Sequence, residues 1–125
     1  MDPTVTTLHG IPTLILPAEG PAVGTELDAG DLVGAALEHG VDLLVVPAVR
    51  VAPEFWTLRT GVAGEILQKL VNYRLRLAVV GDITAPVEAS TALRDLVRES
   101  NRRRDAWFLP DLAALDERLA AGAGA

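Results

Sequence analysis

Two apolar runs without alternation, Leu43-Leu44-Val45-Val46 and Leu77-Ala78-Val79-Val80, bracket a stretch whose apolar residues recur at helical spacing. In that stretch Leu58, Val62, Ile66 and Leu70 fall in one row, with Ala63, Leu67 and Val71 in the row beside it. Such a stripe is wide enough to face a core. Glu65, Gln68, Lys69 and Asn72 fall on the other side. The run from Arg59 to Tyr73 is therefore read as a central helix, starting near Thr60 and feeding a buried strand. Glu65 and Lys69 stand in the favourable order for a surface pair, worth only about 0.2–0.5 kcal/mol. Burial of the stripe must hold the helix in place. Strands buried on both faces and joined through a helix imply a parallel sheet.

The rest of the chain extends that unit. Thr4 to Leu8 and Ile11 to Leu16 read as a hairpin turned at His9-Gly10, with Pro12 suggesting a late start or an edge position. A first helix spans about Ala29 to His39, with Asp28 as N-cap, Asp31 in its first turn and Gly40 as its stop. Pro53 opens the approach to the central helix. Pro86 suits the first turn of another helix, or the loop before one, and Ser90 is a rival N-cap. Leu93, Leu96 and Val97 carry that helix's buried face, and Asn101 its stop. Ala106 to Leu109 is the last strand, and Asp111 caps a final helix through Leu112, Leu115 and Leu119. Residues 119–125 are expected to fray. The order is ββαβαβαβα: one α/β domain over 1–125, with a mixed, mostly parallel sheet and an antiparallel N-terminal hairpin.

Composition narrows the chemistry. Cysteine is absent, which excludes disulfides, thiolate metal sites and thiol nucleophiles. The net charge of −6 argues against a general nucleic-acid binder. The apolar runs fall far short of the roughly 20 residues that span a bilayer. The first residues lack the basic and apolar regions of a signal peptide, so a cytoplasmic location is expected. His9 and His39 have no ligand-spaced partners, so no metal is expected, and no cofactor motif is visible.

Four places resemble the STAS domain, the fold of anti-sigma-factor antagonists: Thr25-Glu26-Leu27-Asp28-Ala29, Leu44-Val45-Val46-Pro47, Gly61 to Leu70, and Trp107 to Leu112. That resemblance implies a bacterial regulatory module. Regulated members present an Asp-Ser pair before the central helix, and a partner kinase phosphorylates the serine. Phe55-Trp56 falls at that point here. Trp56 cannot accept phosphate, and neither Thr57 nor Thr60 follows an aspartate. At closer range, Phe55-Trp56-x-Leu58-Arg59-Thr60-Gly61-x-Ala63-Gly64-Glu65-Ile66-x-Gln68-Lys69, with Gly81-Asp82 and Arg98-Glu99-Ser100-Asn101, resembles the bacterial domain-of-unknown-function family 4180. That likeness implies no activity.

No catalytic constellation is visible, and the chain is read as a non-enzymatic regulatory or interaction module. Its candidate binding residues are Phe55, Trp56, Arg59, Thr60, Gly61, Gly64, Glu65 and Asp82. Trp and Arg dominate protein–protein hot spots, and here they share a loop. A protein partner or self-association is expected, with Phe55 and Trp56 either offered to it or plugging the end of the core. The alternative is a small-anion or nucleotide binder, or an enzyme, using the Arg59-Thr60-Gly61 helix start and Asp82. Each has a plainer reading: Thr60 as a helix cap, Asp82 as a turn-former, and Gly61 and Gly64 as close-packing residues. Glu65 and Asp82 form a carboxylate pair only if the fold brings them together. The basic run Arg98 to Arg104 is either a solvated helix end or a place for an acidic partner or phosphate.

Overall fold

His9 and Gly10 both take positive φ, 48° and 81°, the mirror-image turn that joins twisted strands in two residues. In the computed structural model, which describes residues 2–123, they join β1 (Thr4–Leu8) to β2 (Ile11–Ile15). Pro12 lies in β2, between two strands. The pairing with β3 (Leu43–Pro47) begins only at Thr13↔Leu43, so the missing N–H lies before that ladder. The next element, α1 (Ala29–His39), has both ends set by its sequence. Asp28 and Asp31 form a reciprocal capping box, each side chain accepting the other's backbone N–H at 2.9 Å, and Gly40 closes the helix at φ 64°.

The sheet continues through β4 (Arg76–Val80) and β5 (Ala106–Leu109). Its order is β1-β2-β3-β4-β5, antiparallel only between β1 and β2. Each crossover steps one strand in the same direction, which keeps the crossover helices on one face. There α1 and α3 (Val62–Asn72) pack on Leu14, Leu44, Val46, Leu77 and Val79, and α5 (Thr91–Arg102) adds Val97. On the other face α6 (Leu112–Ala123) lays Leu115 and Leu119 over Leu43, Val45, Ala78 and Trp107. Alternate residues of β3 thus serve opposite layers, which explains its unbroken apolar run.

The central helix begins later than its periodicity suggests. Gly61 takes φ 80° and interrupts the backbone, so Arg59 and Thr60 belong to a separate 3₁₀ turn, Leu58–Thr60. Ala63, Ile66 and Leu70 are buried as expected, but Val71 is 41% exposed at the margin of the stripe. Two short helices are additional: α2 (Pro53–Trp56) and α4 (Thr84–Ala89). Pro86 and Ser90 are both right as helix signals, since Pro86 lies in α4 and Ser90 caps α5 by accepting the Leu93 N–H at 3.1 Å. Asn101 does not stop α5, which runs to Arg102. Its amide instead donates to the Phe108 carbonyl and accepts the Phe108 N–H, completing the outer edge of β5. Of the tail expected to fray, residues 119–123 continue α6, with Leu119 buried, and 124–125 lie outside the described residues. Among the described residues no helix is long and apolar enough to cross a membrane.

Candidate functional site

Pro47 ends β3 and Gly81 follows β4, so the segments just past these adjacent parallel strands emerge at the same end of the sheet. They lie unusually close. Gly81 has φ 140°, and a Cβ there would stand 2.9 Å from the Cβ of Ala48. Only glycine meets both demands. Beside this contact lies an open groove of about 750 Å³. Ala48, Val49, Trp56, Leu58, Ile83 and Pro86 give it an apolar lining, and Arg59 and Asp82 supply its two charged groups.

Phe55 and Trp56 divide the two roles left open for them. Phe55 is 1% exposed and belongs to the core between α3 and the sheet, so it is out of a partner's reach. Trp56 is half-buried. Its ring meets Phe55 edge-on at 5.2 Å and lies 6.0 Å from Phe108, which fixes it while it lines the groove. Val49, at the groove's rim, is 78% exposed.

At Arg59-Thr60-Gly61, the alternative anion site, the Thr60 hydroxyl and the Gly61 N–H already have partners. The Thr60 hydroxyl lies 2.7 Å from the Glu54 carbonyl and 2.9 Å from that of Thr57, and it accepts the Val62 N–H. The Gly61 N–H donates to the Leu58 carbonyl. These groups are spent on the turn that positions Arg59. Asp82, in the same groove, adds a negative charge. It accepts the Thr84 N–H at 2.9 Å as a turn-former, and the Thr84 hydroxyl and N–H hold its carboxyl below the usual value. The Thr57 hydroxyl donates to the Pro53 carbonyl.

The groove therefore gathers Trp56, Arg59 and Asp82. Gly64 lines a different hollow, between α3 and α5, and Glu65, exposed on α3, lines neither, so no Glu65–Asp82 pair is built. Among the described residues no three His, Asp or Glu side chains gather as metal ligands do. Sequence reasoning missed Val49, Ile83 and Pro86. The breakers after the two apolar runs were the available signal, since residues just past adjacent parallel strands share one end.

Arg50 was also missed, and it is what holds the groove's wall. It is 6% exposed in the 3₁₀ turn Ala48–Arg50 and has no carboxylate partner among the described residues. Its Nε donates to the Pro21 carbonyl and its Nη1 to that of Pro17, both at 2.9 Å. The β2–α1 loop is thereby tied to the turn that carries Ala48 and Val49.

A family model described as a domain of unknown function (DUF4180) matches residues 8–119. No curated protein and no solved structure matches the chain.

Proposed function

The chain belongs to this DUF4180 family, and from its own geometry we propose that it is a non-enzymatic interaction module that docks a protein partner in the groove beside Trp56. The observation that carries this reading is the makeup of that groove. A fixed, half-buried tryptophan and exposed Val49 lie beside one cation, Arg59, and one anion, Asp82. A tryptophan held in place before binding loses little rotamer freedom on contact, and a central apolar anchor with charged flanks is how hot spots are built. The matching partner surface is an apolar side chain with a carboxylate on one side and a cation on the other. The anion-binding alternative is weaker, because Thr60 and Gly61 are already hydrogen-bonded and Asp82 repels an anion.

The STAS resemblance supports the same use. In regulated members the loop before this helix is where a partner kinase acts. With Trp56 at the acceptor position, the proposed role is docking without phosphorylation, in the bacterial cytoplasm.

A photo-crosslinking residue at Val49 identifies the partner in the native cell, and purified partner is then titrated against variants. Trp56→Ala and Arg59→Glu should each weaken binding at least about tenfold, the scale of one lost hot spot, with unchanged circular dichroism. Equal affinity for wild type and both variants overturns the proposal, as does an unlabelled second copy of this chain as the sole crosslinked species.

A further inference from the structure

We propose that a second site, at the other end of the sheet, binds a small molecule carrying two or more phosphate groups. A hollow of about 550 Å³ opens where β2, β4 and β5 begin, beside α6. Arg76, Arg102, Arg103, Arg104, Arg118 and His9 all line it. Five of the chain's arginines thus meet in one place, on a protein whose net charge is −6. Among the described residues the one acid–base pair within ion-pair distance is His9 with Asp116, at 2.8 Å. None of the five guanidiniums has a carboxylate partner there. Several positive side chains lining one hollow suit a ligand that carries more than one negative charge.

The cluster is also held in place. Arg118 stacks on the Trp107 ring, 4.9 Å from its centroid, and donates to the carbonyls of Asn101 and Arg103. The Trp107 indole N–H donates to the Arg103 carbonyl at 2.7 Å. One stacked pair therefore clamps the turn from which Arg102, Arg103 and Arg104 project. Arg118 is thereby spent on the scaffold, and the exposed guanidiniums beside it are the ones left to grip phosphate through paired N–H donors. The hollow falls within the roughly 300–1,000 Å³ of small-molecule sites. The acidic remainder of the surface disfavours an extended polyanion such as nucleic acid.

Calorimetry and thermal melting with inorganic tripolyphosphate, a nucleoside triphosphate and orthophosphate test this at low salt. Tripolyphosphate or the nucleotide should bind, raise Tm and lose affinity as salt rises. The double variant Arg102→Glu/Arg104→Glu, at exposed positions, should weaken that binding at least about tenfold. Arg94→Glu/Arg98→Glu, the same charge change on α5 away from the hollow, should not. Whichever of the two binds tighter, the pattern upholds the site, and the ranking says whether the phosphates stand alone or carry a base. Three results overturn it: no binding at millimolar ligand, orthophosphate binding as tightly as tripolyphosphate, or equal losses in the two double variants.

Discussion

The guanidinium of Arg50 lies directly over Gly20, so close that a Cβ on that glycine would stand 2.7 Å from the arginine Cζ. Gly20 also has φ 149°, a conformation that side chains disfavour. The loop can wrap the buried arginine only because this position is bare. Gly20→Ala should therefore lower Tm and loosen the loop. Arg50→Ala should destabilise by about 1.5–3 kcal/mol, the scale of hydrogen bonds to a charged group. Arg50→Lys should not restore the loss, because a single ammonium replaces donors aimed at two carbonyls, Pro17 and Pro21. Urea unfolding of the three variants measures this.

Adjacent aromatics should behave oppositely. Phe55→Ala empties a fully buried position and should cost about 3–5 kcal/mol. Trp56→Ala removes a ring that is only half-buried, so its stability loss should be smaller while its effect on partner binding is larger. Denaturation midpoints and partner titrations on both variants separate the two roles.

Two carboxylates tie stability to pH. The Asp31 backbone N–H, foremost, holds Asp28 below its ordinary value of 3.8, and Thr84 does the same for Asp82. A depressed folded pKa contributes stability above the unfolded pKa and loses it as pH falls through the folded one. Asp28→Asn and Asp82→Asn should therefore lower Tm at pH 7. The gap to wild type should narrow steadily below about pH 3.8. Melting curves from pH 7 to pH 2 follow it, and a gap that widens in acid would contradict the assignment.

Much of the fold was legible because its signals are local. Asp28, Asp31 and Gly40 bound α1 through their own backbone neighbours, and His9-Gly10 determines the hairpin by conformation alone. The runs in β3 and β4 announced two covered faces. What escaped depends on contacts far apart in the chain. Asn101 reads as a helix stop until β5 arrives beside it. Gly61 reads as a tolerated helix residue, yet its positive φ separates Arg59 and Thr60 from α3. The groove joins residues 48–59 to residues 82–92, so no single stretch contains it. Trp56, Arg59 and Asp82 were recognisable one by one; that Gly64 and Glu65 stand apart from them follows from where α3 starts and turns.

Hydrogen–deuterium exchange on the chain, free and saturated with its purified partner, tests the docking groove most directly. Protection should be confined to amides of residues 48–60 and 82–92, and at partner concentrations near the wild-type Kd it should fall sharply when Trp56→Ala replaces wild type. Protection at β1 or α6, with the groove's amides unchanged, would contradict the account.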